Sequence, residues 1–279
     1  MTPAISIGDA LGSAVGLLTE AEVIAPRLTA EVLLCHALGK ERSYLFAHPE
    51  ELLSEVAWIH FGRYLHQRLA GMPTQYITKK QEFYGRDFSV SPAVLIPRPE
   101  TEHVVERVLA LGVRGRMADV GCGSGAIGIT LALELSLPVV LIDISSAALA
   151  VTAANAGKLG APVESLVGDL TTALAPESLD VLVSNPPYIP RRDAATLQRE
   201  VREHEPHLAL FGGESGNETY ARLVVEAERV LRPGGWLVME LGYDREADVR
   251  AMLRHWPLVQ VDPDLAGIPR VLSARWKGN

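Results

Sequence analysis

The residues with the clearest chemical potential are four in a row, Asn185-Pro186-Pro187-Tyr188, directly after the apolar run 179–184. Both prolines fix φ and lack an N–H, so the segment is expected to form a stiff corner that offers oxygen acceptors and few donors. The Asn185 side-chain oxygen and nearby carbonyls can hold the two hydrogens of a planar NH2 group. The Tyr188 ring adds a flat wall for stacking. Taken alone, the four residues also fit an ordinary proline-rich turn.

A glycine-rich loop, DVGCGSG over residues 119–125, follows a predicted strand and opens a predicted helix. Its glycines allow the backbone to turn tightly and to approach a bound nucleoside. Asp143 ends the next strand, where a carboxylate can accept both ribose hydroxyl hydrogens. Asp169 ends the third strand and can bind an adenine amino group, with Leu170 packing on the ring. A helix N-cap or an ordinary loop acid is the alternative for Asp169.

The same loop also matches a competing pattern. Gly123, Gly125 and Gly128 read G-x-G-x-x-G, the fingerprint of dinucleotide-binding oxidoreductases, with an acid at the expected distance. Asp119 at the head of the loop favours a cationic methyl donor such as S-adenosylmethionine, whose sulfonium and ammonium groups it attracts. The same acid would repel a pyrophosphate. An NAD-type oxidoreductase and a turn without any ligand remain as alternatives at this point.

The elements that must position these residues change in type along the chain. Residues 1–73 have apolar residues at helical spacing, which predicts an N-terminal helical domain. Residues 74–97 place aromatic residues on both sides of Gly85, which predicts a hairpin linker. Strands then alternate with helices over residues 98–279, which predicts a doubly wound, mostly parallel α/β sheet. Two last apolar runs, near 258–261 and 270–276, are expected to form an antiparallel hairpin at one sheet edge.

Composition excludes several classes of protein. The chain has 279 residues, 48% hydrophobic and 22% charged, which is typical of a globular protein. Its net charge of −8 speaks against unassisted binding to duplex nucleic acid, which needs many contacts from Lys and Arg. The two cysteines, Cys35 and Cys122, form no metal-binding pair, and no metal is expected. The first residues lack the features of a signal peptide, so a cytoplasmic protein without membrane association is expected.

The order of DVGCGSG, Asp143, Asp169 and SNPPY resembles that of class I S-adenosylmethionine-dependent methyltransferases. The flanking segments 75–102, with LIPRPETE, and 205–216, EPHLALFGGESG, are similar to those of the HemK/PrmC-like family. These enzymes methylate the amide nitrogen (N5) of the glutamine in the Gly-Gly-Gln loop of class 1 peptide chain release factors. The resemblance extends over nearly the whole chain. It implies a seven-stranded sheet, S-adenosylmethionine as cofactor and a release factor as partner.

The resemblance also assigns site residues. The resemblance implies donor contacts at Gly121, Cys122, Gly123, Ser124, Gly125, Asp143 and Asn185, and Asp119, Asp169 and Leu170 are added to the donor-binding residues on the grounds given above. The implied amide pocket comprises Asn185, Pro186, Pro187 and Tyr188, with catalytic roles for Asn185, Pro186 and Tyr188. The chain departs from the family at Thr78-Lys79-Lys80, where a glycine is usual, and at Asn217 and Leu170. Glu100 and Thr101 either cap the following helix or contact the donor, and capping is favoured.

Three other functions stay open on the sequence. A glutamine of a ribosomal protein would use the same pocket, as would the amino group of adenine (N6) or cytosine (N4) in a nucleic acid. Arg191, Arg192, Arg199 and Arg202 follow the tetrad, but acidic residues alternate with them, which favours a solvated charged helix over a nucleic-acid surface. A binding module that keeps the fold without activity is the third alternative.

Overall fold

The structure is a computed structural model that describes residues 5–278 of the chain. It consists of two compact units. The first comprises the residues up to Lys79 together with Arg199–His204, and the second comprises Lys80–Gln198 with the residues from Glu205 onward. The first unit is therefore discontinuous in sequence. The domain limits 1–73, 74–97 and 98–279 remain predictions.

The first unit is a bundle of short helices. In chain order these are α1 (Ile7–Glu20), α2 (Pro26–Leu38), α3 (Arg42–Ala47), α4 (Glu55–Leu69), α5 (Thr74–Thr78) and, far along the chain, α9 (Arg199–His204). Ser6 and Ser54 cap α1 and α4 by accepting backbone N–H groups. The cap at Ser54 explains why α4 begins at Glu55. Apolar side chains fill the core, among them Ile7, Leu18, Leu33, Leu34 and Phe61.

The second unit contains the hairpin and the sheet that the sequence predicts. Strands β1 (Lys80–Phe83) and β2 (Arg86–Ser89) pair antiparallel. The large sheet comprises β3 (Met117–Val120), β4 (Val139–Asp143), β5 (Val163–Val167), β6 (Leu179–Ser184), β7 (Leu231–Glu240), β8 (Leu258–Pro263) and β9 (Pro269–Arg275). Its order is β5-β4-β3-β6-β7-β9-β8, parallel except at β9. The predicted seven-stranded, mostly parallel sheet with an antiparallel edge hairpin is confirmed.

Helices cover both faces of this sheet. They are α6 (Glu102–Ala110), α7 (Ala126–Leu135), α8 (Ser146–Leu159), α10 (His207–Leu210), α11 (Glu218–Val230) and α12 (Glu246–Met252). One buried cluster packs α6, α7 and α8 on the sheet, and another packs α11 and α12 on the opposite face. In the part of the chain from 5 to 278, no helix is long and apolar enough to cross a membrane.

The strand order places the candidate residues at one edge of the sheet. Strand β3 lies between β4 and β6, so the chain moves outward in opposite directions from it. Ligands of doubly wound sheets bind at such a reversal, beyond the carboxyl ends of the strands. The glycine loop follows β3, Asp143 ends β4, Asp169 follows β5 and Asn185 follows β6.

Candidate active site

A cavity of about 420 Å³ opens at this edge of the second unit. Its volume is in the range that small-molecule sites occupy in proteins. The loops after β3, β4, β5 and β6 all contribute to its wall, as does the segment before α6. The predicted residues that line it are Gly121, Cys122, Gly123, Ser124, Asp143, Asp169, Leu170, Asn185 and Pro187. Residues far apart in sequence thus meet in one cavity.

Asp143 holds the glycine loop in place. Its Oδ2 accepts a hydrogen bond from the Gly123 N–H (2.9 Å), and its Oδ1 accepts one from the Ser145 N–H (2.9 Å). An ionised carboxylate has about four acceptor positions, so two bonds leave capacity for a ligand's hydroxyl groups. Asp143 therefore shapes the loop, and its contact with a ribose stays a prediction.

Helix α8 supports the loop from the other side through two residues that the sequence reasoning missed. The Thr152 hydroxyl donates to the Gly123 carbonyl (2.8 Å), and the fully buried Asn155 amide donates to the Ser124 carbonyl (2.9 Å). Asn155 also accepts from the Ser89 N–H (2.7 Å). The sequence did contain a signal for this support. Thr152 and Asn155 are polar residues three apart on an alanine-rich helix, and residues at that spacing lie on the same face.

Asp119 lies behind the loop instead of on the cavity wall. The residue is buried, and its Oδ2 accepts from the Gly128 N–H (2.9 Å). Its Oδ1 is buried without a hydrogen-bond partner among residues 5–278. Burial raises the pKa of Asp119 to about 7. Direct contact between Asp119 and a donor therefore stays a prediction.

The third glycine of the competing fingerprint has a packing role. A Cβ added at Gly128 would lie 2.0 Å from Leu141 Cδ2 and 2.9 Å from Asp119 Cβ. Helix α7 can therefore approach β4 and β3 this closely only because position 128 lacks a side chain. The G-x-G-x-x-G spacing thus follows from close packing of a helix on a sheet, and it does not require a dinucleotide.

Asp169 and Leu170 both reach the cavity. The Asp169 carboxylate pairs with Arg222 (2.7 Å), which lines the cavity too. Leu170 has a left-handed backbone with φ of 52°. This conformation is uncommon for a bulky residue and marks a constrained position. Their proposed contacts with adenine remain a prediction.

The tetrad divides between the cavity and the protein interior. Asn185 and Pro187 lie on the cavity wall, while Pro186 is buried. The Tyr188 hydroxyl lies 3.3 Å from Glu240 Oε1, and its ring is so close to Gly242 that a Cβ there would lie 2.5 Å from Tyr188 Cδ2. Burial raises the pKa of the Tyr188 hydroxyl, so it is a neutral donor to Glu240. A stacking role for Tyr188 and an acceptor role for Pro186 stay predictions.

Thr101 corrects one expectation from the sequence. Its side chain forms no capping hydrogen bond to α6. Instead its Oγ1 donates to Glu240 Oε2 (2.5 Å) and lies 3.1 Å from Asn185 Nδ2. The favoured interpretation as a cap was wrong for Thr101, because its backbone is already helical (φ −68°, ψ −18°) and not extended as in a capping residue, and its hydroxyl is directed to Glu240 and Asn185. Thr101 also lines the cavity.

Glu205 joins two segments that flank the tetrad in sequence. The buried Glu205 carboxylate accepts from Arg98 Nη2 (2.5 Å) and from the Ile96 N–H (3.2 Å). The segments LIPRPETE and EPHLALFGGESG, 109 residues apart at this contact, therefore meet at the cavity, which Arg98 lines. A buried charge pair of this kind is costly to break.

The cavity fits S-adenosylmethionine on several independent observations. Gly121 and Gly123 line the cavity with φ of 73° and 55°, in the left-handed region that favours glycine, so the loop can turn tightly at the cavity wall. Asp143 has free acceptor capacity for ribose hydroxyl groups, and the buried Asp119 Oδ1 lacks a partner in the described part of the chain. These acidic groups suit a cationic ligand. The predicted residues on the cavity wall, from Gly121 to Ser124 with Asp143, Asp169 and Leu170, would hold the nucleoside part, whereas Gly125 is not part of that wall.

Solved structures share the fold. A methyltransferase from Pyrococcus furiosus superposes with a TM-score of 0.54 at 18% identity, covering 78% of this chain and all of that one. A 16S rRNA methyltransferase from T. thermophilus, solved with AdoMet and guanosine, gives a TM-score of 0.52 at 20% identity over 71% of this chain and 50% of that chain. At these identities the likeness shows the fold, a doubly wound sheet shared with solved methyltransferases.

Sequence relatives identify the family. Residues 9–78 match the PrmC N-terminal domain and residues 101–256 match the methyltransferase small domain. A release factor glutamine methyltransferase of Koribacter versatilis is 46% identical over 97% of this chain and 99% of its own length. That of Bacillus subtilis is 42% identical over 96% of this chain and 97% of its own length. The chain belongs to the release factor glutamine methyltransferase family. It is an enzyme, and its methyl donor is S-adenosylmethionine.

Proposed function

We propose that this protein methylates the side-chain amide nitrogen of the glutamine in the Gly-Gly-Gln loop of class 1 peptide chain release factors. One observation carries the proposal. Asn185 and Pro187 stand on the wall of the same cavity that the glycine loop and Asp143 line. An amide held at Asn185 would thus share one enclosed space with a donor held by the loop.

The chemistry requires the amide to be oriented, because its nitrogen lone pair is delocalised into the carbonyl group. S-adenosylmethionine, when bound, supplies a methyl group on a positively charged sulfur. In the proposal the Asn185 Oδ1 accepts one N–H of the glutamine amide and the Pro186 carbonyl accepts the other. Both hydrogen bonds strengthen as positive charge develops on nitrogen, so they favour the transition state over the ground state. The surplus proton then passes to water.

The acceptor and the location belong to the same proposal. The relatives named above are release factor glutamine methyltransferases, and their similarity extends over both units of this chain. The net charge of −8 supports a protein acceptor without stable binding to nucleic acid. Because protein synthesis ends in the cytoplasm, the proposal places the enzyme there.

Transfer of a labelled methyl group from S-adenosylmethionine tests the acceptor. We expect a release factor with its Gly-Gly-Gln intact to be labelled, and its Gln→Ala variant and duplex DNA to stay unlabelled. Labelling of DNA, or of a ribosomal protein in preference to the release factor, would contradict the proposal.

Replacement of Asn185 tests the mechanism. We expect Asn185→Ala to lower kcat by roughly 100-fold, the cost of removing one hydrogen-bonding group that acts in the transition state. Gln198→Ala removes an exposed carboxamide and should leave kcat unchanged. Near-normal turnover by the Asn185→Ala enzyme would exclude the proposed role.

A further inference from the structure

Three side chains from separate parts of the second unit form a chain of hydrogen bonds that ends at the tetrad. Glu240 ends β7, Thr101 precedes α6 and Asn185 follows β6. The Glu240 Oε2 lies 2.5 Å from Thr101 Oγ1, which lies 3.1 Å from Asn185 Nδ2. Glu240 and Thr101 are almost completely buried, with exposed fractions of 2% and 4%.

The polarity of this chain follows from the number of hydrogens available. A carboxylate only accepts hydrogen bonds, and a threonine hydroxyl has one hydrogen to donate. Once Thr101 gives that hydrogen to Glu240, only lone pairs face Asn185. The group that approaches them must be the NH2 end of the Asn185 amide, so the Asn185 oxygen is turned the other way. Residues 5–278 form no hydrogen bond to that oxygen.

The surroundings of Glu240 favour its role as an acceptor. The Tyr188 hydroxyl donates to its second oxygen, Oε1 (3.3 Å). Burial raises the pKa of Glu240, while the bond from Thr101 and the positive charge of Arg270 act in the opposite direction; Glu100 adds a weaker repulsion. Two hydroxyl donors aimed at one carboxyl group leave the ionised form with more satisfied hydrogen bonds than the protonated form.

We propose that Glu240, acting through Thr101, is a positioning device that fixes the Asn185 carboxamide with its oxygen toward the substrate. This inference rests on the proposed function, since it concerns how the amide-binding residue is held. A carboxamide turned by 180° would present N–H donors where the glutamine also presents donors, and binding would be lost. The device also sets specificity, because an outward oxygen accepts from a glutamine NH2 group and repels a glutamate carboxylate.

Substitutions at Thr101 test the device. Thr101→Val keeps the shape and removes the hydroxyl, so Asn185 is free to turn, and we expect kcat to fall at least tenfold. Thr101→Ser keeps the hydroxyl and should stay within about threefold of the wild type. Thr130→Val is the matched control, because Thr130 is fully buried and its hydroxyl has no partner among residues 5–278. Its kcat should not change.

A binding measurement separates positioning from general damage to the site. The probe is a release factor whose motif glutamine is changed to glutamate, used as a competitive inhibitor. We expect the Thr101→Val enzyme to bind this probe at least as well as the wild type does, although its turnover of the glutamine form falls. A site that was merely damaged would bind both forms more weakly. Glu240→Gln provides a second variant, since a Gln side chain can donate to Thr101 and reverse the chain.

The outcomes distinguish this inference from the proposed function. If the wild type does not methylate the release factor, or if Asn185→Ala is fully active, the proposed function fails first. If Asn185→Ala is impaired while Thr101→Val and Glu240→Gln keep wild-type turnover and discrimination, only the positioning role is wrong. Calorimetric binding of S-adenosylmethionine shows which of the Thr101 and Glu240 variants are folded; Asn185→Ala is left out of that comparison because Asn185 is itself implied to contact the donor. Should Thr101→Val not fold, the result for Glu240→Gln decides.

Discussion

At the scale of single residues, Asp119 shows how a site acid can work against stability. Its carboxyl group is buried beneath the glycine loop with one oxygen unpaired among residues 5–278. Burial raises the pKa of this carboxyl from 3.8 to about 7. A buried ionised acid is costly unless it is paired, so ionisation of Asp119 destabilises the fold. A cationic ligand would offset that cost.

The raised pKa predicts a pH dependence of stability. The folded protein binds the Asp119 proton more tightly than the unfolded chain does. Protonation of Asp119 therefore contributes fully to the free energy of unfolding below about pH 4, and this contribution is lost as pH rises through about 7. Its size is about 4 kcal/mol. We expect Asp119→Asn, which never ionises, to lack this loss in denaturant unfolding measured across the range. The exposed Asp244→Asn change should retain the wild-type slope. An unchanged slope in Asp119→Asn would contradict the assignment.

Some site residues follow from the sequence and others do not. Asp143 and Asn185 line the cavity as predicted because residues after parallel strands meet at one sheet edge. Glu240 was missed although it also ends an apolar strand, which was the same signal. The bond between Thr101 and Glu240 joins residues 139 apart in sequence. No local pattern reports which partner a buried hydroxyl will find, so the capping interpretation was wrong there.

At the scale of elements, helix α5 ends in an unusual way. Its last turn is followed by Lys79, whose φ is 60°, in the left-handed region. The family usually has a glycine in this short stretch, and glycine adopts that conformation without a steric penalty. A side chain with a Cβ is strained there by about 1 to 2 kcal/mol. The departure from the family therefore falls where the backbone favours glycine.

This strain predicts a stabilising substitution. We expect Lys79→Gly to raise the free energy of unfolding by about 0.5 to 1 kcal/mol, since relief of strain exceeds the added freedom of the unfolded chain. Lys79→Ala is the control, because it removes the same side chain and keeps the Cβ. Denaturant unfolding should give a higher free energy of unfolding for Lys79→Gly than for Lys79→Ala. Equal stabilities would show that position 79 is not strained.

Element boundaries can be predicted where a local signal exists. Pro26 begins α2 and Gly39 follows its end with a left-handed backbone, the two positions at which helices favour these residues. Helix α3 was missed because six residues are too few to show a helical period. Strand β7 begins at Leu231, four residues before the strand-like run GWLVMEL (235–241), because Leu231 pairs with Leu179 of β6. That extension depends on a neighbouring strand and has no local signature.

At the scale of the whole molecule, the discontinuous first unit has a specific anchor. Helix α9 is held in this unit by an ion pair between Arg68 and Glu200 (2.5 Å) and by a bond from Arg199 to the Ala70 carbonyl (3.1 Å). The Arg68 side chain is 9% exposed and that of Glu200 is 27% exposed. An ion pair in which both side chains are largely buried contributes more to stability than an ion pair on the surface.

Removal of this anchor should loosen α9. We expect Arg68→Met to weaken its attachment by about 1 kcal/mol and to speed trypsin cleavage after Arg199 and Arg202 by roughly fivefold. Arg27→Met is the control, because Arg27 is exposed and its partner Glu31 keeps a second bond from Arg42. Limited proteolysis followed by mass spectrometry measures both. Equal cleavage rates in the two variants would show that the ion pair does not hold α9.

The split of the helical unit has a consequence for how the protein is made. A ribosome releases the N-terminus first, so the residues up to Lys79 emerge long before Arg199–His204. Four strands of the large sheet, β3 to β6, are synthesised in between. The helical bundle is synthesised first but lacks its final helix until most of the parallel strands have left the exit tunnel. The first unit therefore begins to form before the sheet but can be completed only after those strands have emerged.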